Sequence, residues 1–394
     1  MSGAPHSIVI AGGSIAALTA AETLRLAGHD GPITLLSEEN HQPYSRVPLS
    51  KTVLAGNDPT ERAMLPAASG DIDVRLNTRA ERLDVTGRRV YLADGERLRY
   101  DGLVIATGAR ARRLADRSAG EAVLRTLDDA ALLAGRLATA GSVLVVGGGF
   151  LGMEIASTCR ALGKAVTVID RDPPLVRLLG SWLAELLTGA ALDHGIRLVH
   201  APGGVTLTGS DAIDGVTHAA GALTADLVIS AAGDQPNIEW LRGSGLELRG
   251  GVVVDERCLA APGIVAAGDV AIRRIGDLLQ PRTPHWSNAV EQARAAARAL
   301  LDPDGCPAYQ PDPYFWTEQS GLDVKISGHL PLAGTPVVLD GSLAGRSALV
   351  QWHDDRGPVA AAAINYKIPV VRLKRFGYRA ETSTSDRSIV RYLR

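Results

Sequence analysis

The sequence of 394 residues predicts an α/β fold with two βαβ units built on parallel sheets, followed by a small α+β domain. Three observations predict it. The apolar run Ile8-Val9-Ile10 leads into Gly12-Gly13-Ser14-Ile15-Ala16-Ala17, and Val143-Leu144-Val145-Val146 leads into Gly147-Gly148-Gly149-Phe150-Leu151-Gly152. Each reads as a buried strand, a tight glycine turn and a helix. Each is followed by a second apolar strand and an acid, Ile33–Leu36 before Glu38 and Val166–Ile169 before Asp170. Beyond the proline-rich stretch Pro303 to Pro313, strand patterns dominate.

In chain order, the strand Ile8–Ala11 precedes a helix over Ile15–Ala27, whose small and apolar residues suit close packing on a sheet. Gly28 and Gly31-Pro32 end that helix. Antiparallel strands are expected around Val74–Leu76, Ala80–Val85 and Val90–Tyr91, with Asp94-Gly95 as a hairpin turn. Leu103–Ile105 is a further buried strand running into Ala106-Thr107-Gly108. The pattern then repeats: strand Val143–Val146, helix Leu151–Leu162, strand Val166–Ile169, and Leu227–Ile229 running into Ala231-Ala232-Gly233. Ile264-Val265-Ala266-Ala267-Gly268-Asp269 precedes a helix over Asn288–Leu301. The last segment carries strands at Val324–Ser327, Ala348–Trp352 and Val359–Ile364, the last two joined by the turn Asp355-Arg356-Gly357.

The chemistry of the two turns follows from their shape. A glycine turn opening a helix presents free backbone N–H groups and the positive end of the helix dipole to a pyrophosphate. An acid about 20 residues further on accepts hydrogen bonds from ribose hydroxyls. Two such sites in one chain imply two dinucleotides, and an economical reason to hold both is to pass electrons between them. The second turn keeps Gly147, Gly149 and Gly152, whereas the first has Ser14 and Ala17 at two of these places, both small enough to keep a nucleotide site.

Composition removes other classes. A formal net charge of −2 gives no general affinity for nucleic acid or membrane. No apolar stretch approaches a membrane span. A strand begins almost at the N-terminus, so no secretory leader is expected and a cytoplasmic protein is. Cys159, Cys258 and Cys306 are far apart and form no C-x-x-C pair, which argues against electron relay through a redox disulfide. No metal-ligand spacing appears.

Further motifs carry a family resemblance. Pro43-Tyr44-Ser45-Arg46-Val47-Pro48-Leu49-Ser50-Lys51 resembles the signature of FAD-dependent NAD(P)H:ferredoxin reductases serving Rieske oxygenases and cytochromes P450, which are related to rubredoxin reductase and apoptosis-inducing factor. Leu103 to Ala109, Gly147 to Glu154, Gly263 to Asp269, His285 to Gln292 and Pro313 to Gln319 match in family order along essentially the whole chain. The resemblance implies a glutathione-reductase-like pair of Rossmann domains. Residues 1–110 and 235–312 would bind FAD, 111–234 would bind NAD(P)H, and 313–394 would form the α+β domain.

It also implies roles for particular residues. Gly12, Gly13, Ser14, Ala16 and Ala17 would hold the FAD pyrophosphate and Glu38 the adenosine ribose. Arg46 and Lys51 would lie along the flavin, and Ala106, Thr107 and Gly108 close to it. Asp269 would bind the ribityl chain, and backbone near Trp286 would face the pyrimidine end. Gly147, Gly149, Gly152 and Asp170 would hold NADH in preference to NADPH, with Arg171 beside Asp170 as the counter-argument. Lys51 and Glu154 resemble the family's ion pair where nicotinamide approaches.

Two departures stand out: Val47 replaces a common proline, and Asp234-Gln235-Pro236-Asn237 lacks the family's arginine before Pro-Asn. The expected partner is a [2Fe–2S] ferredoxin, docking on a basic C-terminal stretch: Lys367, Arg372, Lys374, Arg375, Arg379, Arg387, Arg391 and Arg394 against Glu381 and Asp386. Neither nucleic acid nor membrane is an expected partner, and monomer and homodimer are both open. The alternatives are an NADH oxidase or tailoring oxidoreductase without ferredoxin, and a redox sensor like apoptosis-inducing factor.

Overall fold

The structure, a computed structural model, describes residues 5–56, 63–115, 120–209 and 212–377. Two compact units emerge, Met1–Pro174 with Leu192–Pro311, and Leu175–Ala191 with Asp312–Arg394.

The first unit is built on two parallel sheets. In one, the strand order is Leu259–Ala261, Ile264–Ala266, Gly102–Ile105, Ile8–Ala11, Ile33–Leu36 and Ile72–Arg75. All its pairs are parallel except the edge strand Leu259–Ala261. The strand expected around Val74–Leu76 as part of an antiparallel set is thus a correction: it runs as Ile72–Arg75, parallel to Ile33–Leu36. At the sheet edge only Ile72 is buried, so no continuous apolar run announced a parallel strand. Helices Ile15–Leu26 and Trp286–Leu301 cover one face through Ala17, Ala20, Ala21, Leu24, Ala293, Ala296 and Ala297, all fully buried. Alanine on both helices lets them lie close to the sheet and to each other.

The second sheet repeats the plan in the order Arg197–His200, Ala165–Asp170, Ser142–Val146, Leu227–Ser230 and Ala122–Val123, all parallel. Helix Phe150–Ala161 follows its central strand. Between the sheets the chain crosses twice, at Ala109–Ala111 and Asp234–Pro236, which pair antiparallel with each other. A meander of Ala80–Asp84, Arg89–Leu92 and Arg97–Arg99 packs Leu83, Val90 and Leu98 against the first sheet.

The second unit is a five-stranded antiparallel sheet in the order Tyr314–Gln319, Leu322–Gly328, Gly357–Ile364, Ser347–Asp354 and Val337–Ser342. Helix Val370–Gly377 packs Leu373 onto Leu349, Ala361 and Ala363. Residues 175–191 join it through the Trp182–Trp352 edge-to-face contact and a Leu332 N–H to Leu179 carbonyl bond. Among the described residues, no helix is long and apolar enough to cross a membrane.

Candidate functional site

The two glycine turns are built alike. Gly12 has φ +134°, and a Cβ there would meet the Ala106 carbonyl oxygen at 2.1 Å. Gly147 has φ +113°, and its Cβ would meet the Ala231 carbonyl oxygen at 2.3 Å. Only glycine fits either place, because the turn presses on the end of the neighbouring strand. Gly152 is fixed by the Gly147 carbonyl oxygen, 1.9 Å from its would-be Cβ, whereas the equivalent Ala17 buries its methyl in the core. Helices Ile15–Leu26 and Phe150–Ala161 start at Ser14 and Gly149 with no side-chain cap and no acid in the first turn. Both therefore offer N–H groups to an anion, and the residues fit the dinucleotide pyrophosphates expected of them.

The two acids differ in placement. The Gly12 N–H bonds the Leu36 carbonyl and the Gly147 N–H bonds that of Ile169, which sets the two turns in register. By that register Ser37 corresponds to Asp170, and Glu38 to Arg171. Asp170 accepts from the Gly148 N–H at 2.5 Å and the Asp172 N–H at 3.1 Å, so its carboxylate is fixed beside the second turn. Glu38 is exposed, 3.9 Å from Arg79. Arg171 is exposed and faces Asp172 at 3.7 Å.

Around the first turn the expected residues are contiguous. A Cβ on Gly268 would touch Ala16, placing Asp269 beside the start of the first helix. Asp269 pairs with Arg125 at 2.8 Å, and Arg125 also donates to the Ala109 carbonyl. Arg46 donates to the Arg125 carbonyl at 2.5 Å, to Glu39 at 2.6 Å and to the Tyr44 hydroxyl at 3.0 Å. Burial opposes the Arg46 charge, but Tyr44 and Glu39 outweigh it and hold the guanidinium above its ordinary pKa. Burial, helped by Glu39, pushes the Tyr44 hydroxyl up and keeps it a donor. Thr107 and Asn237 exchange side-chain to backbone hydrogen bonds at 2.8 and 2.9 Å, tying Ala106-Thr107-Gly108 to the second crossing strand.

The two halves meet at Lys51. Its Nζ lies 2.7 Å from Glu154 Oε2, and the Ser50 hydroxyl donates to the same oxygen at 2.6 Å. The Thr158 hydroxyl donates to the Ser50 carbonyl at 2.7 Å, so helix Phe150–Ala161 is stitched to the turn Leu49–Val53 at two levels. Trp286 opens helix Trp286–Leu301 and is 38% exposed. Its neighbour His285 meets Phe150, which follows Gly149, edge to face at 6.1 Å. Burial lowers the His285 pKa below 6.5, opposed by Asp269.

Glu39, Tyr44, Ser50, Arg125, Thr158 and His285 have no role assigned from the sequence: Ser50, Arg125, Thr158 and His285 meet partners far along the chain, and the Glu39–Tyr44–Arg46 cluster closes on Arg125 and Leu127. Asp234, where an arginine was expected nearby, pairs with Arg282 at 2.5 Å, and Arg282 donates to the Asp269 carbonyl. The cysteines are free, and burial pushes Cys159 and Cys258 up to about 12, leaving them inert thiols. Among the described residues no cluster could hold a metal ion. Of the basic C-terminal stretch, Lys374 pairs with Asp312 at 2.5 Å. Arg379, Glu381, Asp386, Arg387, Arg391 and Arg394 lie outside the described residues.

Two duplicated glycine turns, joined through one lysine–glutamate pair, define a two-nucleotide oxidoreductase. The chain belongs to the pyridine nucleotide-disulphide oxidoreductase family, whose model matches residues 6–293. It is 36% identical over 368 residues to the biphenyl dioxygenase system ferredoxin–NAD(+) reductase component of Paraburkholderia xenovorans (strain LB400), covering 91% of this chain and 90% of that one. It is similar to the solved ferredoxin reductase for the CYP199A2 system from Rhodopseudomonas palustris, with TM-score 0.83, 31% identity and coverage of 92% and 91%. Similar too is the putidaredoxin reductase of a solved covalent complex with putidaredoxin, with TM-score 0.82, 29% identity and coverage of 94% and 91%.

Proposed function

We propose that this chain is a cytoplasmic, FAD-dependent NADH:ferredoxin reductase whose acceptor is a [2Fe–2S] ferredoxin serving an oxygenase or a cytochrome P450. The observation that carries the reading is the Lys51–Glu154 pair, which ties the segment after the first turn to the helix of the second. Residues 1–110 and 235–312 form the FAD part and 111–234 the NADH part. FAD is held by Gly12, Gly13, Ser14, Ala16 and Ala17 at the pyrophosphate, Glu38 at the ribose, Asp269 at the ribityl chain, and Arg46, Ala106, Thr107, Gly108 and Trp286 beside the ring. FAD held there would supply a hydride acceptor for NADH and a one-electron donor for an iron–sulfur acceptor.

The protein's own part is positioning and electrostatics. Lys51 keeps a positive charge at the ring, and Glu154 with Ser50 fixes where that charge sits. Gly147, Gly149 and Gly152 receive the NADH pyrophosphate. Asp170 takes the ribose hydroxyls and repels a 2′-phosphate. Relatives named as the ferredoxin–NAD(+) reductase component or subunit of dioxygenase systems support NADH as donor and a ferredoxin as acceptor.

The test is direct. The purified protein releases FAD on denaturation, reduces a [2Fe–2S] ferredoxin with NADH, and shows a higher kcat/KM with NADH than with NADPH. FMN alone, or no flavin, in a well-folded sample overturns the cofactor. Comparable or better NADPH turnover overturns the donor, and dioxygen as the sole acceptor replaces the reductase with an oxidase.

A further inference from the structure

The meander of the first unit carries a charge arrangement that the two-nucleotide site does not use. Its strands pair in register, Asp84 opposite Arg89 opposite Arg99, and Arg82 opposite Tyr91 opposite Arg97. Side chains two apart on a strand share a face, so these six residues all point the same way. The other face carries Leu83, Val90 and Leu98 into the core, which leaves the first set turned outward. Arg82, Arg97 and Arg99 are exposed and Arg89 is half-buried.

None of these four arginines has a carboxylate within 4.0 Å among the described residues. The local acids are engaged elsewhere: Glu81 with Arg79 at 3.5 Å, Glu96 with Arg75 at 3.0 Å, and Asp84 with the Gly87 N–H at 2.7 Å. Arg89 and Arg99 stand directly opposite each other, and like charges in that position weaken a sheet. The Arg82 guanidinium lies 3.6 Å from the Tyr91 ring centroid and that of Arg97 5.4 Å, so the ring limits where both can go. Facing arginines with one aspartate among them, and no carboxylate within 4.0 Å of their guanidinium groups among the described residues, mark a surface shaped for something outside the chain.

We propose that this arginine face is a docking surface for a compact acidic protein, built from residues that take no part in the two-nucleotide site. Three strands span about 10 Å across and the two rows lie about 7 Å apart, the size of a small carboxylate cluster. Four arginines against one aspartate complement such a cluster, and guanidinium forks bind carboxylates in pairs. Glu81, Asp94 and Glu96 border the patch, and the chain as a whole carries a net charge of −2, so there is no extended cationic track for a nucleic acid to follow. The inference does not depend on the reductase assignment.

A fluorescent 15-residue glutamate-rich peptide and single-stranded dT15 are the probes, titrated into the FAD-loaded protein at low and high salt. The peptide should bind at least tenfold more tightly than dT15 and lose at least tenfold in affinity between about 50 and 300 mM salt. Arg82→Glu/Arg99→Glu should weaken peptide binding at least tenfold and leave NADH reduction of a small quinone unchanged. Should the charge reversals disturb folding, Arg97→Gln/Arg99→Gln should still weaken peptide binding severalfold. Peptide affinity within twofold of the parent in both variants overturns the proposal, and so does a preference for dT15 that the variants abolish.

Discussion

Replacing Lys51 by methionine and Glu154 by glutamine, singly and together, tests whether the pair acts as a unit. Unit charges 2.7 Å apart attract by about 6 kcal/mol at an effective dielectric near 20. Most of that attraction is offset by desolvation of both groups. Exposed pairs retain about 1 kcal/mol at most, whereas breaking one side of a buried pair costs about 3–5 kcal/mol. With the side chains 18% and 11% exposed, this pair lies between those limits, and a coupling of about 2 kcal/mol is expected. That is a factor of about 30 in a rate. Stopped-flow bleaching of the FAD-loaded protein by NADH is the assay. Lys51→Met should slow bleaching by one to two decades and alter any charge-transfer band, with FAD retained. Glu154→Gln should slow it by about thirtyfold, the full coupling, and the double variant should match Lys51→Met, because Glu154 acts through the lysine. Rates within twofold of the parent with an unchanged spectrum would make the pair structural, and additive losses would show that the two side chains act independently.

Gly147→Ala should lower NADH affinity at least tenfold while FAD stays bound, since the new Cβ would sit 2.3 Å from the Ala231 carbonyl oxygen at φ +113°; NADH titration beside FAD content decides it. Burial holds His285 below a pKa of 6.5. The unfolded chain therefore binds more protons, so this group's share of stability is full above about pH 6.5 and declines as pH falls through the lower folded value. The Tm of the FAD-loaded protein should drop between pH 7 and 5.5, and His285→Asn should flatten part of that drop; an unchanged slope removes His285 as the cause. Lys374→Glu/Arg375→Glu should cut ferredoxin-dependent turnover severalfold at low salt and spare NADH reduction of a small uncharged quinone, whereas equal loss in both assays would mean a damaged fold.

The sequence makes legible whatever local backbone chemistry enforces. Gly12 and Gly147 are readable because a positive φ and a carbonyl about 2 Å from any Cβ admit no other residue. The central strands are readable because both of their faces are buried, so their apolar runs are continuous. The edge strand Ile72–Arg75 has no such run, and the crossing strands Ala109–Ala111 and Asp234–Pro236 are three residues each, too short to show a period. Glu39, Tyr44 and Arg46 are near neighbours in the chain, but the network closes on Arg125, 79 residues beyond Arg46, and nothing local announces that link.

Register explains the subtler misses. Counted along the chain, Glu38 and Asp170 seem to hold one position, each an acid just past the second strand of its unit. The Gly12–Leu36 and Gly147–Ile169 hydrogen bonds show them one residue out of step. Asp170 is the last residue of its strand, whereas Glu38 lies two residues past the end of strand Ile33–Leu36. Equal chemistry at the two sites therefore cannot be assumed from equal composition: Asp170 is fixed by two backbone N–H groups, while Glu38 is exposed near Arg79. The arginines between Arg79 and Arg99 look like ordinary solvated charge when read in a line. Only pairing across three strands sorts four of them onto one face, and that sorting separates a scattered surface charge from a candidate interface.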